Sequence, residues 1–232
     1  MTQAAAAPLR VAIHWRFVGG CGRPAFDAAA LTAEERAAAC RFLRPADAAL
    51  WLESRFLLRT TLAARLGVAP DRLTFRRSRH GKPALDGLLR FNLSHAGGLA
   101  LLAVAEDRLA ELGIDVERAD RPVTEALIRA ATAPAEAAAL LALPEARRGA
   151  AFLELWTRKE SLLKAAGCGL SQPVRAVALD PRDGRLLALP PALGRPEEHR
   201  LLKLALPAPY LAVLAVRDPL RRPVLPEMTP PA

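Results

Sequence analysis

The sequence predicts a mixed α and β protein built from two similar halves, each a long helix followed by strands. Three observations carry that prediction. Short apolar or alternating runs are interspersed with long amphipathic segments along most of the chain. The run Leu99-Ala-Leu-Leu-Ala-Val104 is echoed by Leu211-Ala-Val-Leu-Ala-Val216. The helical segment Arg55-Phe-Leu-Leu-Arg59 is placed like Glu160-Ser-Leu-Leu-Lys164, each leading at comparable distance into a set of strands. A duplicated unit of this kind puts its ligand cleft between the halves.

The elements follow in order. Leu9 to Phe17 alternates and reads as a strand. Thr32 to Phe42 is a short helix, with Thr32 as N-cap and Glu35 completing a capping box. Asp47 to Leu66 is a long amphipathic helix stopped by Gly67. Strands are expected around Leu73 to Phe75, at Leu99 to Ala105 and at Gly113 to Glu117. Helices follow at Glu125 to Ala131, Pro134 to Leu141 and Ala150 to Ala166, the last closed by Gly167. Strands at Val174 to Leu179, Leu186 to Leu189, His199 to Leu206 and Tyr210 to Val216 complete the fold. Residues 1–8 and the tail after Arg217 are expected to be irregular, the tail because Pro219, Pro223, Pro226, Pro230 and Pro231 interrupt it.

Composition narrows the function classes. A chain of 232 residues with 52% hydrophobic residues buries a real core. A net charge of +9 favours acidic partners: phosphates, nucleic acid or an acidic protein. With only 5% aromatic residues, base-stacking platforms are disfavoured. Cys21, Cys40 and Cys168 have neither metal-knuckle nor redox spacing and read as reduced thiols of the cytosol. No run is long and apolar enough for a membrane span, and the start lacks the pattern of an export signal, so a soluble cytoplasmic protein is expected.

Four constellations can carry chemistry. In Gly113-Ile-Asp-Val-Glu117, strand alternation turns Asp115 and Glu117 to one face while Ile114 and Val116 enter the core. Two acids so placed repel unless a cation lies between them. In Trp156-Thr-Arg-Lys-Glu-Ser-Leu-Leu-Lys164, helical spacing aligns Trp156, Glu160 and Lys164 in one stripe. In Phe91-Asn-Leu-Ser-His-Ala-Gly97, Ser94 and His95 read as a turn able to cradle a phosphate. In Arg76-Arg-Ser-Arg-His-Gly-Lys-Pro83, four cations within seven residues suit several phosphate groups or a nucleic-acid backbone. Taken singly, each is also an ordinary solvated surface. Taken together, the acids want a cation and the basic loop wants phosphates, and magnesium bound between carboxylates and substrate phosphates satisfies both.

The order Gly81-Lys82-Pro83, Asn92-Leu-Ser-His95, Gly113-Ile-Asp-Val-Glu117 and Trp156-x-x-Lys-Glu-x-x-x-Lys164 resembles the 4′-phosphopantetheinyl transferase superfamily. Length and the two-half plan resemble its larger, surfactin-type branch. The resemblance implies an α+β fold of two helix-plus-antiparallel-strand halves, residues 1–110 and 111–232, related by a pseudo-two-fold axis. It implies that coenzyme A binds in the cleft and gives its 4′-phosphopantetheine arm to a serine of an acidic acyl or peptidyl carrier protein, releasing adenosine 3′,5′-bisphosphate.

By the same resemblance, Asp115 and Glu160 hold Mg2+ with Glu117 near or in the metal shell, and Glu160 is a metal ligand, the base for the serine, or both. Lys164, Ser94 and His95 meet the coenzyme A phosphates, and the loop of His80, Gly81 and Lys82 holds the nucleotide. Glu35 and Ala38 stand where the family often has lysines for the 3′-phosphate, with Arg36, Arg41 and Arg44 as nearby substitutes. A duplicated chain forms its own cleft, so a monomer is expected. The rival reading is a nucleic-acid-binding module using Arg76 to Lys82, which leaves the three acids without a role.

Overall fold

The computed structural model describes residues 7–18, 26–168, 173–220 and 222–229. In chain order it contains β1 (Leu9–Phe17), α1 (Ala33–Ala39), α2 (Pro45–Leu66), β2 (Arg76–Arg77), β3 (Pro83–Ala84), β4 (Leu89–Ala96) and β5 (Leu99–Glu106). There follow β6 (Glu111–Arg118), α3 (Glu125–Ala131), α4 (Pro134–Leu141) and α5 (Glu145–Ala165). The last elements are β7 (Ala178–Leu179), β8 (Leu186–Ala188), β9 (His199–Leu204), β10 (Tyr210–Arg217) and β11 (Val224–Thr229).

One sheet has the spatial order β11-β1-β5-β4, and a second has the order β6-β10-β9. Strand, long helix, strand, strand, with the last strand central, is the path of β1-α2-β4-β5 and again of β6-α5-β9-β10. The two sheets face each other across a core of Val11, Ile13, Leu99, Leu101, Ile114, Val116 and Leu214. On the far side of the first sheet, Leu57, Leu58 and Leu62 of α2 pack on Phe91, Ala100 and Leu102. α5 covers the second sheet, with Leu162 and Leu163 buried against Ala215. β5 therefore reads as an unbroken apolar run, because α2 covers one face and the second sheet covers the other.

Local rules account for most boundaries. The capping box of α1 forms: Thr32 Oγ1 accepts from the Glu35 N–H at 3.2 Å, and Glu35 Oε2 accepts from the Thr32 N–H at 3.1 Å. Pro45 starts α2 at the one place where a missing N–H is harmless. α3 and α4 have the predicted limits, whereas α5 begins at Glu145, ahead of the expected Ala150.

Four expectations need correction. Residues 89–96 form strand β4, not a turn; the turn is Gly97–Gly98. The alternation Leu89, Phe91, Leu93 against Arg90, Asn92, Ser94 makes that strand, and its polar face is turned to protein, not to water. Residues 73–75 form no ladder, and the hairpin β2–β3 lies just beyond. Val174 to Ala176 is a short 3-10 turn before β7. The proline-rich tail contains β11, which pairs in parallel with β1 at a sheet edge, where Pro226 lacks only an outward donor. The tail thus returns to the sheet of the first half. Residues 1–6, 230–232 and Cys21 lie outside the described residues.

Candidate active site

The site grows from the contact of α5 with β6. Gly113 makes that contact possible: a Cβ there would lie 1.9 Å from the Ser161 carbonyl oxygen and 2.3 Å from the Ala165 nitrogen. The helix therefore rests on bare backbone. Gly113, Asp115 and Glu117 share the face under α5, and Ile114 and Val116 go into the intersheet core. The predicted stripe of α5 lies over those acids. Lys164 Nζ reaches Asp115 Oδ1 at 2.6 Å at one end, and Trp156 lies at the other, where it acts to lower the Glu117 pKa. Glu160 sits between them on the stripe.

β4 supplies the third wall. Ser94 Oγ donates to Asp115 Oδ1 at 3.0 Å and accepts from Lys164 Nζ at 2.9 Å, closing a triangle of Ser94, Asp115 and Lys164. Asn92 Oδ1 accepts from the Ile114 N–H at 2.7 Å, tying β4 to the edge of β6. His95 follows on the same strand; loss of solvation and the Lys164 charge both hold its pKa below the usual histidine value, so its neutral form is favoured. Beyond Glu117 opens a concavity of about 370 Å³ lined by Ala96, Gly97, Glu117, Arg118, Asp120 and Arg121. Its walls come from the β4–β5 turn and from the end of β6. A second concavity, of about 590 Å³, lies apart from these acids, between α4, α5 and the Asp180–Gly184 turn.

The electrostatics are unbalanced. Burial, then the neighbouring charges of Asp115 and Glu117, push the Glu160 pKa up to about 7, against the relief offered by Lys164. Burial raises Glu117 as well, although Arg121 at 2.8 Å opposes it. Among the described residues, Asp115 Oδ2 and Glu160 Oε1 are buried side-chain oxygens without a hydrogen-bond partner. Two orphaned hard oxygens in a crowd of acids fit a divalent cation. No cluster of three or more His, Cys, Asp or Glu side chains among the described residues forms a ready-made metal cage. Mg2+ does not require one, since it characteristically takes one or two carboxylates plus water and substrate phosphates.

The basic loop is an exposed hairpin. Ser78 anchors it: its carbonyl accepts from the Gly81 N–H at 2.9 Å and its Oγ from the Lys82 N–H at 3.1 Å, with Gly81 at φ +83° making the turn. His80 and Gly81 are solvent-exposed at its tip, and Arg76 pairs with Asp86. Lys82 turns inward and donates to three backbone carbonyls; its desolvation lowers its pKa to about 8. Asp115, Lys164 and Ser94 thus meet, and Glu117 and Glu160 lie close enough to feel their charges. His95 lies beside them, and the His80–Gly81 tip stands off on its own hairpin.

Two family models match the chain. "4′-Phosphopantetheinyl transferase superfamily" covers residues 111–205, and "4′-phosphopantetheinyl transferase, N-terminal" covers residues 24–107. The 4′-phosphopantetheinyl transferase HetI of a Nostoc species is 37% identical over 174 residues, 71% of this chain and 72% of that protein. The chain belongs to the 4′-phosphopantetheinyl transferase superfamily. A 4′-phosphopantetheinyl transferase of Bacillus subtilis is 33% identical, with 67% of this chain and 68% of that protein covered. Sfp, from the same species, is 28% identical over 62% of this chain and 63% of its own length. Sfp is among the superfamily's larger members, and this chain fits that branch.

Sequence reasoning missed parts of this transferase's frame. Lys159, inside the α5 motif, is fully buried against Glu136 of α4, whose carboxylate also accepts from the Ala133 and Leu179 N–H groups at 2.7 and 2.8 Å. That pair fixes the helix bearing Glu160. Glu35, aligned with the family's phosphate-binding lysines, is instead buried between Arg55 and Arg59. Only its capping role was visible in sequence.

Proposed function

We propose that the site at the α5–β6 contact transfers phosphopantetheine with Mg2+ held by Asp115 and Glu160, and with Glu117 near or in its shell. The chain is a phosphopantetheinyl transferase: it moves the arm of coenzyme A onto a carrier protein. One observation carries the reading of the site: Asp115 and Glu160, from distant parts of the chain, each leave a buried oxygen unpaired beside Lys164.

The carrier's serine oxygen attacks the β-phosphorus of coenzyme A. A new phosphoester bond forms, the P–O bond bridging the two phosphates breaks, and adenosine 3′,5′-bisphosphate leaves with the electron pair. Glu160, ionised above about pH 7, takes the serine proton directly or through water. Lys164 turns its ammonium to the phosphates and offsets their growing negative charge. A bound Mg2+ would neutralise the pyrophosphate and hold it in line for attack. Ser94 and His95 form the phosphate-facing wall, and the His80–Gly81–Lys82 tip offers its backbone and the His80 ring to the nucleotide. Arg36 donates to the Ala28 and Leu31 carbonyls, which leaves Arg41 and Arg44, both exposed, as the candidates for the 3′-phosphate.

We further propose that residues 1–110 and 111–232 act as two halves related by a pseudo-two-fold axis. The repeated strand–helix–strand–strand path and the extents of the two family models support this. A cleft complete within one chain supports a monomer, and the +9 charge supports an acidic carrier. Among the described residues no helix is long and apolar enough to cross a membrane, which is consistent with a cytoplasmic enzyme. Neither the family models nor the relatives named above favour the nucleic-acid reading.

Intact-mass spectrometry tests the proposal. Incubation with coenzyme A, Mg2+ and an apo carrier domain should add about 340 Da to the carrier's nucleophilic serine, and EDTA should abolish the gain. Gain of mass undiminished by EDTA would remove the metal from the proposal, and no gain with any of several carriers would remove the activity.

A further inference from the structure

Lys82 leaves the hairpin tip and runs into the molecule. Its Nζ donates to the carbonyl oxygens of Leu112 at 2.8 Å, Lys164 at 2.7 Å and Ala165 at 3.0 Å. An ammonium has three donors, so its set is complete. The acceptors belong to two elements. Leu112 lies on β6, just ahead of Asp115. Lys164 and Ala165 lie in the last turn of α5, whose carbonyls lack the partners of the helix interior, although Gly167 N–H also reaches the Lys164 carbonyl at 3.1 Å, and whose dipole favours a cation.

The same edge of β6, opposite to β10, is held a second time by Asn92 through the Ile114 N–H. Side chains of the first half therefore grip the backbone of the acid-bearing strand on both sides of Gly113. One of those grips also takes in the end of the helix that carries Glu160 and Lys164.

We infer that Lys82 is a positioning residue: it pins the final turn of α5 to β6 and so sets Lys164 and Glu160 over Asp115. This rests on the transferase reading of the site and differs from a direct grip on a coenzyme A phosphate. A phosphate contact needs a donor facing the ligand, and all three donors of Lys82 face protein carbonyls. The stem passes Gly167, where a Cβ would come within 3.4 Å of Lys82 Cδ.

Lys82→Met should lower kcat at saturating coenzyme A by about a hundredfold, because misplacement of catalytic groups by an ångström has effects of that size. Its Kd for coenzyme A, measured calorimetrically without carrier, should stay within about threefold of the unaltered protein, because the tip backbone is retained. Lys82→Arg, which keeps the charge and several donors but in a planar fork, should restore part of kcat. Lys82→Gln carries the same comparison should the methionine variant fail to fold.

A loss confined to coenzyme A affinity, with saturated kcat retained, would overturn the inference. So would an unchanged kcat, or a double loss that arginine does not repair. Failure of the unaltered protein to load any carrier would instead overturn the transferase reading, so the two are separable.

Discussion

Each half of the molecule buries charge beneath its long helix, and the two halves settle it differently. Under α2 the buried acids Glu35 and Glu53 both meet arginine. Glu53, wholly buried, pairs with Arg16 at 2.6 Å, and Glu35 lies between Arg55 and Arg59 at 2.7 and 2.5 Å. Burial alone would raise the Glu35 pKa, but the two guanidinium groups more than offset it and the net shift is downward. α5 also carries the closed Lys159–Glu136 pair, but where it crosses β6 the acids outnumber their partners. Asp115, Glu117 and Glu160 share Lys164, with Arg121 reaching Glu117 from outside, and the Glu160 pKa rises to about 7. A closed set of charges holds structure together. An open set leaves two buried oxygens unpaired, and those oxygens are what the Mg2+ proposal rests on.

Replacing a charged side chain by a neutral one should have opposite effects in the two halves. Glu160→Gln should lower the rate of carrier loading by about a thousandfold, since metal binding or proton transfer fails, while the melting temperature is kept or rises as crowding is relieved. Loading near the unaltered rate would show that Glu160 has no chemical part. Glu35→Gln should do the reverse. It strands Arg59 in the interior and should destabilise the fold by about 2–4 kcal/mol in denaturant titration, with kcat of the folded protein little changed. A catalytic loss without a stability loss would place Glu35 in the site and erase the contrast.

Linkage sharpens the same difference. The raised Glu160 pKa makes the metal-free fold lose stability as pH climbs from 4.5 toward 7, whereas the lowered Glu35 pKa adds stability that is lost as pH falls below 4.5.

How much of this was legible depended on whether a residue's partner lay within reach of a short pattern. Asp115 and Glu117 on one strand face, and Trp156, Glu160 and Lys164 on one helix stripe, follow from periods of 2 and 3.6, and both patterns hold. The Thr32–Glu35 capping box is likewise local. β4 escaped because its alternation ends in polar residues that normally mark a turn; Asn92 and Ser94 are polar for the sake of β6, distant in sequence. β11 escaped because proline content argues against strands, and only its edge position in a parallel pair excuses Pro226. The targets of Lys82 and Lys159 are backbone carbonyls and a carboxylate fixed by tertiary packing, which no spacing rule reveals.

Mn2+ titration followed by electron paramagnetic resonance, with coenzyme A present, tests whether Asp115 and Glu160 share one divalent ion. One ion should bind per chain, with affinity rising about tenfold per pH unit up to the Glu160 pKa of about 7 and then levelling, as a ligand that must lose a proton requires. Glu160→Gln and Asp115→Asn should each weaken binding, and Glu160→Gln should flatten its pH dependence. Mn2+ affinity indifferent to both substitutions and to pH would contradict the account.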